Sequence, residues 1–268
     1  MRAWSQIDSV LSPARSCGST SFAALVWLNH LSQALADGLI ETNPVSAVKR
    51  PKVERAKKVV PRPEQVRAVV DEAKGTNMEI PILLGATTGA RRSEVCGLRW
   101  SEIDLQTGRL RIVQGLQWLP TSSGRELSFT DPKSDKARRS VTLLPSVVER
   151  LRTHRKEQIE RRLSLGTEWD DSFGDVVCER GDGRPIDPDR FTKTFKRLAA
   201  VAGLDPKTRL HDLRHGVATQ LARAGVHPHT VSTLLGHSSV AFTMDVYTED
   251  WDESTEQAAS ALGSALNL

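Results

Sequence analysis

The chain has 268 residues, 37 Lys and Arg against 33 Asp and Glu, and 38% hydrophobic residues. That is a globular composition, long enough for one large domain or two modest ones, and it excludes a disordered, collagenous or membrane-spanning chain. The longest apolar runs, residues 22–28 and 80–86, are too short to cross a bilayer, no apolar run follows the N-terminus, and three scattered cysteines (Cys17, Cys96, Cys178) support neither a disulfide framework nor a cysteine zinc site.

These features point to the cytoplasm. The charge is uneven along the chain. Residues 245–268 hold six acids and no Lys or Arg, so the first 244 residues carry all 37 bases against 27 acids. A basic body of that kind attracts a polyanion such as DNA, although net charge alone also fits ordinary solvated surface. There is a single tyrosine, Tyr247, beside six Trp and six Phe.

In chain order, residues 21–40 read as an amphipathic helix, with apolar residues from Phe22 to Leu39 near helical spacing and Asp37-Gly38 at its end. Residues 49–67 carry eight bases, two acids and three prolines, the composition of a basic linker, and place a domain boundary near residue 60. The expected division is a partial helical domain with linker over 1–58 and a larger domain over 59–268. Pro63 starts the next helix, with Val66, Val69 and Val70 on one face. Helices follow near 79–87 and 91–98, separated by Thr88-Gly89. Alternating residues within 109–144 predict a small antiparallel sheet of two or three strands, with Asp131-Pro132 as turn chemistry. Beyond it the pattern gives a charged helix over 147–163, a short strand over 175–178 and a tight turn at 181–184. Helices at 189–202, 211–224, 229–235 and 254–266 complete the chain. The fold class is mainly α with a small antiparallel β-sheet (α+β).

His211-Asp-Leu-Arg-His215 has the clearest chemistry. On a helix, His211, Arg214 and His215 share a face. The spacing imitates a zinc-binding H-E-x-x-H, but a guanidinium beside a dication is repulsive and Asp212 is shorter than the glutamate such sites use. An ordinary helix with two satisfied histidines is the bland reading of the motif alone. Downstream, Leu234-Leu-Gly-His237-Ser-Ser puts His237 just beyond a glycine helix end, and Tyr247 follows ten residues later. Upstream, Thr88-Gly-Ala-Arg91-Arg-Ser-Glu94 sets an arginine at a helix start. The tract Asp131-Pro-Lys133-Ser-Asp-Lys136-Ala-Arg-Arg places lysines on the mobile tip of a β-hairpin.

Arg, Lys, His and Tyr together suit attack on a phosphodiester. Guanidiniums grip the non-bridging oxygens, whose negative charge grows in the transition state, with forked charge-assisted hydrogen bonds. A phenol with a reference pKa of about 10 needs a base and cationic neighbours to act as nucleophile. A histidine accepts its proton, and a lysine donates one to the leaving alkoxide.

In this order the boxes resemble the tyrosine recombinases of the phage-integrase family over roughly residues 63–250. The resemblance implies a tyrosine-recombinase catalytic domain in which Arg91 and Arg214 clamp the scissile phosphate and His211 is the base. It also implies that His237 hydrogen-bonds the phosphate, and that Tyr247 attacks it to leave a 3′-phosphotyrosyl link and a free 5′-hydroxyl. Lys133, first in the Lys-x-x-Lys-x-Arg tract, matches the family's general acid better than Lys136 does. Glu94 supports the arginines, and His215 is a packing or supporting histidine. No metal, ATP or other cofactor is called for. The implied partners are duplex DNA and, on synapsed DNA, a homotetramer of this chain, with no membrane. Residues 29–52 resemble the end of the family's helical DNA-clamp domain, expected to be shortened here, and the residues after Tyr247 either dock on a neighbouring protomer, as such a segment does in the family, or pack as a helix on their own domain. The expected function is site-specific recombination for a phage or other mobile element. A non-catalytic DNA-binding remnant and relaxation of supercoils by a type IB topoisomerase are the alternatives.

Overall fold

The structure is a computed structural model that describes residues 30–43, 60–132, 138–236 and Met244. Its contacts divide the chain into two units, Met1–Ala56 and Lys57–Leu268. In the first unit, residues 30–36 are helical and end at Gly38 (φ 71°), where the Asp37-Gly38 signal predicts the stop. The rest of that predicted helix, and the closing one at 254–266, lie outside the described residues.

The second unit begins with α1 (Pro63–Ala73). Pro63 sits where a missing N–H costs nothing, and the Gln65 side chain accepts from the Arg62 N–H at 2.9 Å. Then comes α2 (Glu79–Thr88), whose Ile80, Pro81, Ile82, Leu84, Gly85 and Thr88 are all buried. A helix apolar all round belongs in the middle of a core, and α2 packs against α1, the long α4 (Pro145–Leu165) and α6 (Leu210–Arg223). It stops at Gly89, whose left-handed backbone (φ 63°) turns the chain into α3 (Arg92–Cys96). α5 (Pro188–Val201) contributes Phe191 and Phe195, both fully buried, and α7 (Pro228–Leu235) ends at Gly236 (φ 65°). Each such aromatic is worth about 1.5–3 kcal/mol of transfer from water.

The β region is more elaborate than predicted. Strands β1 (Ile103–Asp104), β2 (Arg109–Ile112) and β5 (Arg139–Thr142) form one antiparallel sheet, with Leu110 opposite Val141 and Ile112 opposite Arg139. A separate hairpin, β3 (Gly115–Thr121) and β4 (Gly124–Thr130), is inserted between β2 and β5, and its turn is Ser122-Ser123. The turn of this hairpin falls ahead of the lysine tract expected at a hairpin tip; the tract itself, 133–137, lies outside the described residues. Gly124 (φ 140°) makes the tighter turn possible ten residues earlier. The segment at 175–178 forms no strand of its own. It lies against 98–100, with Trp100 N–H donating to Asp175 at 2.9 Å and Val177 N–H to Leu98 at 2.9 Å. Among the described residues no helix is long and apolar enough to cross a membrane.

Gly89 tests the junction of α2 and α3. A Cβ there would lie 2.5 Å from Leu235 Cδ2, and the left-handed backbone adds strain for any L side chain. Gly89→Ala is expected to lose about 1–2 kcal/mol from backbone strain and a further ~1–3 kcal/mol from overpacking, read as a lower urea midpoint at unchanged slope.

Candidate active site

The site is built on helix ends. A short helix leaves its first N–H groups unpaired, and a carboxylate at the third position turns back to accept one of them. Glu94 does so in α3, taking the Arg91 N–H at 2.6 Å, and Asp212 does so in α6, taking the Arg209 N–H at 2.7 Å. The two caps fix where Arg91 and His211 leave the backbone.

The other half comes from the end of α7, whose last carbonyls have no helical partner and lie at the negative end of the helix dipole. Three guanidiniums fill them. Arg139 Nε donates to the Leu234 carbonyl at 2.7 Å, Arg214 Nη2 to that of Leu235, and Arg91 Nη2 to that of Gly236 at 2.7 Å. Arg214 Nη1 also donates to the Gly89 carbonyl at 2.7 Å, so one buried side chain ties the ends of α2 and α7 together.

One carboxylate lies among the three cations. Glu94 Oε1 accepts from Arg91 Nη1 at 2.7 Å and from Arg139 Nη1 at 3.0 Å, and Oε2 accepts from Arg139 Nη2 at 2.8 Å. Burial pushes the Glu94 pKa up, but Arg139 and Arg91 together outweigh it and hold the carboxyl at about 2. Arg214 shows the opposite imbalance. Burial, then repulsion from Arg91 and Arg139, draws its guanidinium down to about 9, so it stays protonated at neutral pH. Among the described residues, three guanidiniums stand against one carboxylate and leave an excess of positive charge.

Arg91 and His211 open onto a cleft of about 600 Å³, with Arg92, Trp118, Lys196 and Arg209 also on its walls. Arg214 is 3% exposed and lies beneath that surface. His211 reaches solvent, while His215 is buried and meets it edge to face, ring centroids 5.0 Å apart. The protein packed around His211, and next the Arg214 charge, lower its pKa and favour a neutral imidazole at pH 7. Asp212, the carboxylate a zinc reading would employ, is buried and committed to the Arg209 backbone and guanidinium.

The predicted residues Arg91, Glu94, Arg214, His211 and His215 thus fall in one neighbourhood. Lys133, His237 and Tyr247 lie outside the described residues, His237 immediately after Gly236. Arg139 was missed by sequence reasoning. Its signal was the alternation of β5, which sets Arg139 on the same inward face as Val141. Beside Arg91, Arg92 donates to Thr192 Oγ1 at 3.0 Å on the cleft wall.

Residues 61–254 match the phage integrase family model. A tyrosine recombinase XerC-like protein of Caldanaerobacter subterraneus subsp. tengcongensis is 31% identical, over 69% of this chain and 49% of its own. An integrase of Saccharopolyspora erythraea is 28% identical, over 78% of this chain and 58% of its own. The chain therefore spans about half the length of such relatives. In fold it is similar to the integrase of transposon Tn1549 solved with circular-intermediate DNA, at a TM-score of 0.74 and 21% identity, covering 92% of this chain and 80% of that one.

The carboxylate at the centre sets a pH test. The folded pKa of Glu94 lies below its ordinary value of 4.5, so its stabilisation is complete above about 4.5 and is lost as pH falls through about 2. Glu94→Gln is expected to lower the unfolding free energy by about 3 kcal/mol at pH 7, with the gap closing as the pH approaches 2, in urea titrations across pH.

Proposed function

Because the chain belongs to the phage integrase family, we propose that it cuts and rejoins duplex DNA at specific sites through a covalent tyrosyl–phosphate link. The observation that carries this reading is the cluster of three guanidiniums around one carboxylate among the described residues, opening through Arg91 and His211 onto the cleft. A phosphodiester supplies the negative charge the cluster lacks, and the extra charge of the transition state suits it better still.

In the proposed reaction, the Tyr247 oxygen attacks phosphorus in line with the departing 5′-oxygen. The P–O5′ bond breaks, His211 takes the phenol proton, and Lys133 returns a proton to the leaving oxygen. Arg91, Arg214 and His237 hold the non-bridging oxygens. The bond energy stays in the phosphotyrosyl ester, so the reverse attack by a 5′-hydroxyl rejoins strands without ATP. The lowered pKa of His211 keeps it ready to accept a proton at neutral pH, so the cleavage rate is expected to drop only in solutions more acidic than about pH 6.5. We further propose that strand exchange takes place in a tetramer of this chain on two synapsed duplexes, as part of a phage or other mobile element. The residues before the basic linker would belong to a helical DNA clamp, with the larger domain beginning near residue 59.

The long-range grip would come from α5. Phe191, Phe195, Leu198 and Ala199 bury one face, and Arg190, Lys193, Lys196 and Arg197 stand exposed on the other with no ion pair among the described residues. Such a row favours the phosphate backbone through counterion release. Replacing Lys193 and Arg197 with Gln is expected to weaken DNA binding evenly across sequences and to flatten the slope of log affinity against log salt by about 2.

The decisive experiment is covalent capture. A library of nicked duplexes with randomised sequence is incubated with the protein, and strands left attached after denaturation are sequenced. The expected result is an adduct at Tyr247 on a defined sequence, with Tyr247→Phe binding the same duplex and leaving no adduct. Binding without any adduct from the wild-type protein would instead mark a DNA-binding remnant.

A further inference from the structure

Arg139 lies at 2% side-chain exposure on β5, paired through both terminal nitrogens with Glu94 and through Nε with the Leu234 carbonyl. It is costly to bury a guanidinium on the inward face of a strand, and an apolar residue there would give the sheet a cheaper core. What the charge does instead is local. Both oxygens of Glu94 are engaged by Arg139, which fixes the carboxylate's rotamer, and that carboxylate in turn holds the Arg91 guanidinium and its backbone N–H. The third bond pins α7 two residues before the Gly236 carbonyl that Arg91 also uses. The packing leaves no slack: a Cβ on Gly236 would lie 2.9 Å from Arg139 Nη1 and 3.1 Å from Arg139 Cδ. In sequence, Arg139 follows the lysine tract at 133–137, and Leu234 comes three residues before His237.

We propose that Arg139 is a positioning residue for strand cleavage: it sets Glu94, and through it Arg91, in one fixed relation to the end of α7. It touches no substrate. The inference rests on the proposed cleavage reaction and adds to it a group outside the motif set. Lysine cannot replace it, because a point charge satisfies Glu94 without the planar fork that reaches both oxygens and the Leu234 carbonyl at once.

The test uses the duplex obtained by covalent capture and the full chain. Arg139→Lys keeps a cation beside Glu94 and is expected to fold, to bind the duplex within about threefold of wild type, and to form the adduct about 100-fold more slowly at saturating DNA. Val141→Ala, the inward neighbour on β5, lowers the melting temperature without touching Glu94, and is expected to cleave within about threefold of wild type well below its melting point. Arg139→Gln repeats the comparison should the lysine variant fail to fold. Equal slowing of the Arg139 and Val141 variants at equal loss of melting temperature would overturn the proposal, as would an Arg139→Lys rate near that of wild type. Failure of the wild-type protein to form any adduct overturns the cleavage reading itself, a distinguishable result that takes this inference down with it.

Discussion

A helix that ends inside a protein must dispose of its last carbonyls, and the way α7 does so governs the rest of the larger unit. The Leu234, Leu235 and Gly236 carbonyls receive Arg139, Arg214 and Arg91. α7 also packs into an apolar cluster of Ala218, Val231 and Leu235, with Val217, Leu221, Val226 and Leu234 partly buried against it, set apart from the main core. Position and charge are therefore established by the same bonds. The helix dipole and three carbonyl oxygens draw three cations to one point, closer than those cations would otherwise stand.

The consequence is electrostatic. Glu94 offsets part of the charge and is held ionised far below the usual range, whereas Arg214, hydrogen-bonded to carbonyls, carries the cost of its burial and then the repulsion of Arg91 and Arg139. The fold tolerates this because the guanidiniums keep their hydrogen bonds even though their charges are unbalanced. Under the proposed reaction that imbalance is the source of affinity for phosphate, and the affinity increases as negative charge builds on the non-bridging oxygens. Stability and chemistry are coupled here: the Arg91 guanidinium that holds the Gly236 carbonyl is, under that reaction, also one that grips the phosphate.

The surrounding elements divide the remaining work. α2 is a buried post whose end supplies the Gly89 carbonyl, and α3 and α6 present Arg91 and His211 from carboxylate-closed first turns. α5 turns a row of bases outward from an aromatic face. None of these helices needs unusual packing. Their common requirement is a defined terminus, which is why glycine occupies the ends of α2 and α7.

Much of this was legible from the residues. Helical periodicity, Pro63 at a helix start and the glycines at 89 and 236 located the helices between residues 63 and 235 to within a few residues, because local propensity and capping are short-range effects. The motif order singled out Arg91, Glu94, His211, Arg214 and His215, since the chemistry of anion binding limits which residue types serve it. The hairpin inserted between β2 and β5 was not legible, because strand pairing depends on partners distant in sequence: Leu110 meets Val141 across an insertion that pairs only with itself. Nor was the role of Arg139. A charged residue opening a strand reads as solvent-facing until the fold brings Glu94, 45 positions away, and the end of α7, 95 positions away, against it. Sequence determined which groups were present and where each helix stopped. Only the tertiary structure decided which cations share a carboxylate, because that depends on where helix ends converge in space.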